Sequence, residues 1–175
     1  MTEFERRGAR ATFFLIGAHL QKYPTIGASI VQRGHEVGNH TLSHTYRDTT
    51  ILAEFLPASD LIAAITGQHP RLFRSPGLTV TDRLQAGLAF VGSCSISASI
   101  FTGDSATPRP SSSTICARFV AGLRPGAIVL AHDGGGVHES TAAAVPCMLD
   151  HALAQGYTVV TISELLGQSV VAPFG

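Results

Sequence analysis

Tryptophan is absent from this chain, and aromatic residues of all kinds make up only 7%. That leaves little flat surface for stacking an extended ligand. Lysine occurs once, at Lys22, against eleven arginines, and charged residues total 14% with a formal net charge of zero. No basic block exists, which argues against nucleic acid or an anionic membrane surface as a partner. Cysteine is scarce and odd in number: Cys94, Cys116 and Cys147 form neither a CxxC motif nor an evident disulfide framework. Each is expected to pack as a small apolar residue. No apolar run approaches the length of a membrane span. Met1 is followed by Thr-Glu-Phe-Glu-Arg-Arg, charged from the outset, so no signal peptide is visible.

What remains is a well-buried composition. The chain has 175 residues, of which 45% are apolar, enough for one domain spanning 1–175 with a real core. Its pattern alternates. Residues 2–7 read as the end of a helix, with Gly8 at C′. Strands are expected over 9–16, 35–38, 71–74, 93–101, 126–131 and 157–161. Helices fill the intervals: 18–33, 50–66 interrupted at Pro57, one capped by Thr79 or Thr81, 113–122, 139–155, and a short last one capped by Ser163. Strand and helix in strict alternation imply parallel strands joined by right-handed crossovers, as a barrel or an open sheet.

Polar clusters follow the apolar strands. His40 and His44 stand in Gly-His-Glu-Val-Gly-Asn-His-Thr-Leu-Ser-His (34–44), four residues apart. Imidazole suits zinc and its neighbours, although a catalytic zinc usually has a third protein ligand. Gly38 and Asn39 favour a loop over a helix here. Arg74 to Gly77 follow the third strand, Asp104 follows the strand over 93–101, and His132 with Asp133 follow the most apolar one. Ends of parallel strands share one edge of a sheet, so these groups are expected to converge.

The chain resembles the NodB-homology polysaccharide deacetylases, the fourth family of carbohydrate esterases. The resemblance rests on Arg-Ala-Thr-Phe-Phe-Leu-Ile-Gly (10–17), the His segment (34–44), Phe-Arg-Ser-Pro-Gly (73–77), Pro-Gly-Ala-Ile-Val-Leu-Ala-His-Asp (125–133) and Gly-Tyr-Thr-Val-Val-Thr-Ile-Ser-Glu-Leu-Leu (156–166), in the family's order. It implies a distorted (β/α) barrel and divalent-metal removal of acetyl groups from N-acetylated glycans such as chitin or peptidoglycan. His40 and His44 would ligate the metal, Zn2+ foremost and Co2+ as an alternative. The metal would polarise the acetyl carbonyl and lower the pKa of a bound water. His132 would be the general acid. Asp104 would orient it, or be a solvated loop carboxylate. Arg74 would pair with the family's catalytic base. Pro76 and Gly77 would frame the sugar, with a backbone N–H near Gly77 donating to the oxyanion. Leu130 would line the acetyl-methyl pocket, or be a core leucine. The cell envelope or exterior is the implied location, while oligomeric state is left open.

The sequence departs from that family in three places. No aromatic follows Pro76, and Ser105 and Ala106 stand beside Asp104 where the family has an aromatic. No strand with a paired Asp motif precedes residue 9, so the barrel is expected to lack its first strand, as in an N-terminally truncated deacetylase, and the chain as given is expected to be weak or inactive. Two other readings stay open: a non-catalytic glycan-binding or structural relative, and a barrel hydrolase of small amides.

Overall fold

The computed structural model describes residues 1–167. They form two compact units: Met1–Arg10, which holds the short helix α1 (Thr2–Glu5), with Ala98–Leu165, and one built on Ala11–Ser97.

The unit built on Ala11–Ser97 holds a parallel sheet of β1 (Thr12–Leu15), β2 (Glu36–Asn39), β3 (Leu72–Phe73) and β4 (Cys94–Ser95), in that order. Two helices, α2 (Gly17–Lys22) and α3 (Pro24–Gln32), replace the single one expected over 18–33. Pro24 explains the break: it pushes Tyr23 out of the helical region, to φ −130°, ψ 59°. The longest helix here, α4 (Asp48–Thr66), runs through Pro57 without the expected interruption. By length and composition alone it could cross a bilayer, a property that core helices share. It packs instead as a core helix, burying Ile51, Phe55, Ala58, Ser59 and Ile62. Ile51 and Phe55 join Phe73 with Leu84 and Leu88 of α5 (Asp82–Phe90) in one cluster. Fully buried side chains of this size contribute roughly 1.5–3 kcal/mol each. Thr81 caps α5, accepting the Leu84 N–H at 3.1 Å.

In the other unit, β5 (Ile100–Phe101) pairs in parallel with β6 (Val129–Leu130). The run expected as one strand over 93–101 is therefore two short ones. Its first part ladders with β3 and its second with β6, and the change of partner breaks it. Two helices, α6 (Ser112–Gly122) and α7 (Glu139–Ala154), pack around Ile115, Phe119, Ala144 and Met148. Cys116 and Cys147 join them by a disulfide, with Cα atoms 6.1 Å apart. This corrects the expectation of isolated thiols: helix packing brings together residues 31 positions apart. Cys94 remains a free, exposed cysteine.

No strand forms over 157–161, because the segment has no continuous ladder; Arg10 N–H donates to the Val159 carbonyl at 3.0 Å. The last described helix, α8 (Ile162–Leu165), is capped by Thr161 rather than Ser163. Thr161 and Glu164 exchange bonds, N–H to Oε2 at 2.9 Å and N–H to Oγ1 at 3.3 Å. This reciprocal pair satisfies two end donors at once.

Candidate active site

The first cluster grows from the end of β2. Asn39 is fully buried. Its Nδ2 donates to the Phe55 carbonyl and to Ser59 Oγ, each at 2.8 Å, and its Oδ1 accepts the Thr41 N–H at 2.8 Å. The strand end is thereby pinned to α4. Beyond it the loop adopts left-handed backbone at Thr41 (φ 67°) and His44 (φ 61°). Such positions cost of order 1 kcal/mol each for residues with a Cβ, so the surroundings must impose them. The bonds that do so are specific. Gly17 and Ala18 N–H groups donate to the Thr41 and Leu42 carbonyls at 3.0 and 2.8 Å. Thr41 Oγ1 accepts the His44 N–H at 2.9 Å. Glu54 of α4 accepts from the Leu42 N–H, the Ser43 N–H and Ser43 Oγ, at 3.0, 2.8 and 2.6 Å. Burial alone would raise the Glu54 pKa, but these donors outweigh it and hold the carboxyl below its ordinary range.

The loop so fixed brings His40 and His44 together, ring centroids 4.9 Å apart at 72°. His40 Nδ1 lies 2.5 Å from the Arg74 carbonyl. A carbonyl can only accept, so this contact puts the proton on Nδ1 and the lone pair on Nε2, the form a metal takes. The donor chemistry and the outer contact of the pair thus fit part of a divalent-metal site. Among the described residues no third His, Cys, Asp or Glu joins them.

Arg74 is 8% exposed. Its Nε and Nη2 donate to the Ile96 and Ser97 carbonyls at 3.2 and 3.1 Å. Its Cζ lies 4.3 Å from the centre of the Phe14 ring. That ring sits so close to Gly38 that a Cβ there would meet it at 2.6 Å. The guanidinium is therefore held by carbonyls and a ring face, and burial pushes its pKa down to about 10. Pro76 is buried, and Gly77 (φ 64°) forms the turn after it. A Cβ on Gly77 would stand 3.1 Å from the Tyr46 ring.

The second cluster lies in the unit of β5 and β6. Asp104 is 3% exposed, not a solvated loop residue. Its Oδ1 faces His132 Nδ1 at 3.0 Å and lies 3.2 Å from Thr102 Oγ1. Its Oδ2 accepts the His132 N–H at 2.7 Å and Thr141 Oγ1 at 3.0 Å. Burial would raise the Asp104 pKa; the bonds from His132 and Thr141 overcome it and hold the carboxyl well below the usual range. His132 keeps 37% of its side chain exposed. The imidazole thus shows one side to solvent and the other to a buried anion. Leu130, half-buried at the end of β6, receives a bond from Thr102 Oγ1 on its carbonyl at 2.9 Å. Asp133 is exposed.

A family model described as polysaccharide deacetylase matches residues 2–93. A peptidoglycan-N-acetylglucosamine deacetylase of Bacillus cereus is 33% identical over 162 residues, covering 90% of this chain and 76% of that protein. The chain belongs to the polysaccharide deacetylase family. Among solved structures, the peptidoglycan deacetylase PdaC of Bacillus subtilis superposes with a TM-score of 0.85 at 26% identity, over 95% of this chain and 80% of that one. A Bacillus anthracis pseudoenzyme of carbohydrate esterase family 4 does so at 0.85 and 29% identity, over 94% and 58%. Other relatives are longer: the chain spans 35% of Listeria monocytogenes peptidoglycan deacetylases, at 29% identity. The architecture is that of these NodB-type deacetylases, a distorted (β/α) barrel.

Several residues that hold the His loop and Asp104 in place carry no signal in the sequence. No motif or spacing in the sequence marks Glu54, Thr102 or Thr141. Asn39 reads as a loop breaker, yet it is the anchor of the His loop.

Proposed function

We propose that this chain, acting as one domain over 1–175, hydrolyses N-acetyl groups on a glycan of the peptidoglycan or chitin class, with a divalent metal, zinc first, as cofactor. The observation that carries the reading is the Asp104–His132 pair, a buried carboxylate held by the His132 N–H, the His132 ring and the Thr141 hydroxyl behind a half-exposed imidazole. The Asp104 charge stabilises a positive ring, so Nε2 has a proton to give. An amine leaves an acetamide poorly unless its nitrogen is protonated as the C–N bond breaks, and His132 would supply that proton. His40 and His44 would hold the metal, which, when bound, supplies Lewis acidity towards the acetyl carbonyl. The Arg74 carbonyl keeps His40 in its ligating tautomer. Pro76 and the Gly77 N–H would frame the sugar and the oxyanion, and Leu130 would line the acetyl-methyl pocket. The Cys116–Cys147 bond supports a location outside a reducing cytosol.

A second reading, a glycan-binding relative without chemistry, draws support from two observations. No carboxylate joins the histidine pair among the described residues, and the chain resembles a pseudoenzyme as well as enzymes. Calorimetric titration with zinc and with cobalt, on the chain and on His40→Ala and His44→Ala, is expected to give one-to-one binding lost in both variants. Acetate release from N-acetylglucosamine oligomers in the loaded protein then separates the readings. Metal and oligomer binding without acetate would favour the second. Acetate released faster from small acetamides than from oligomers would point to an amide hydrolase instead.

A further inference from the structure

Tyr46 is 62% exposed, two residues beyond His44. An exposed aromatic is usually loosely held, but this one is fixed along one edge. Its ring meets that of His44 with centroids 5.2 Å apart at 88°. Its Cδ1 and Cε1 lie 3.1 Å from where a Cβ on Gly77 would stand. Gly77 has left-handed backbone and no side chain, so the turn after Pro76 leaves room that the Tyr46 ring fills. His40, His44 and Tyr46 form a row of rings in successive edge-to-face contact, at 4.9 and 5.2 Å. The row begins at the imidazole bonded to the Arg74 carbonyl and ends in a solvent-facing phenol ring. A flat apolar surface beside polar, orienting groups is the arrangement that binds a saturated ring carrying axial C–H groups on one face and polar substituents at its rim. A pyranose is such a ring.

We infer that Tyr46 is the stacking platform of this site, holding the N-acetylated pyranose whose acetamide faces the histidine pair. The inference rests on the deacetylase reading for the identity of the sugar, not for the role of the ring. In a chain without tryptophan, this one tyrosine then carries much of the selectivity for a sugar ring over a small acetamide.

The test is binding, measured apart from turnover. N-acetylglucosamine tetramer is titrated calorimetrically into the chain, Tyr46→Phe and Tyr46→Ala, with thermal unfolding and zinc titration of each. Tyr46→Ala is expected to weaken tetramer binding about tenfold, a loss of about 1.4 kcal/mol, with its unfolding midpoint and zinc binding unchanged. Tyr46→Phe, which keeps the face and loses the hydroxyl, is expected to stay within about twofold of the parent. Equal affinity in Tyr46→Ala overturns the inference, as does no tetramer binding by the parent chain. A loss in Tyr46→Phe as large as in Tyr46→Ala also overturns it, since the hydroxyl and not the face would then be responsible. Failure of acetate release with Tyr46-dependent binding intact would sink the catalytic reading while leaving the platform standing.

Discussion

Asn39 makes three hydrogen bonds at a fully buried position; two tie the strand end to α4 and the third holds the Thr41 N–H of the His loop. Asn39→Ala would leave the Thr41 N–H without its acceptor and remove both bonds to α4, at about 1–3 kcal/mol for each stranded group. The expected loss is about 2–4 kcal/mol in urea unfolding, with weaker zinc binding because Thr41 and His44 need imposed left-handed backbone. A loss below about 0.5 kcal/mol would mean the loop holds itself. Asp104 gives a prediction with a sign. Its folded pKa is depressed, so its contribution is complete above the ordinary carboxylate value of about 3.9 and fades as pH falls through the folded value. Asp104→Asn is therefore less stable than the parent near neutral pH, and the two converge in acid. Urea midpoints from about pH 7 down to about pH 2 read this directly. A gap that stays constant into acid would show that the carboxylate charge contributes nothing.

At the scale of elements, the disulfide between α6 and α7 closes a loop of sequence separation 31. Chain-entropy arguments give such a closure roughly 3–4 kcal/mol. Cys116→Ser with Cys147→Ser is expected to lower stability by about that amount in chemical unfolding, and reduction of the parent should reproduce the effect. The bond was not legible in the sequence, because nothing in two cysteines so far apart indicates which helix faces meet. Other elements divide on the same principle. The cap of α5 was legible as Thr79 or Thr81, because capping is decided within three residues, and the structure selects Thr81. The division of 93–101 was not, because a strand's extent is set by its partner, and this run has two partners. Pro57 was read as a break on local grounds, whereas packing of Phe55, Ala58 and Ile62 carries α4 through it. The histidines and Asp104 could be marked from their place after apolar runs. Asn39 and Glu54 could not, since their roles rest on bonds to residues 11 to 20 positions away.

For the molecule as a whole, the proposed reaction needs Lewis acidity at the acetyl carbonyl and a proton at the leaving amine. The carbonyl side falls to His40 and His44, and the amine side to His132. If both serve a single bond-breaking event, either loss removes the pathway, and a second loss has little left to remove. His40→Ala and His132→Ala are each expected to lower acetate release from N-acetylglucosamine oligomers by about 10²–10⁴-fold. The double variant is expected to be no more than a few-fold worse than the slower single one. Multiplying effects would mean that the clusters act independently, and the assignment of His132 as proton donor to the same acetamide would fall. Zinc titration distinguishes the two losses further, since His40→Ala should abolish binding while His132→Ala leaves it intact. A His132→Ala chain that no longer bound zinc would place that imidazole among the metal's ligands and not at the leaving amine.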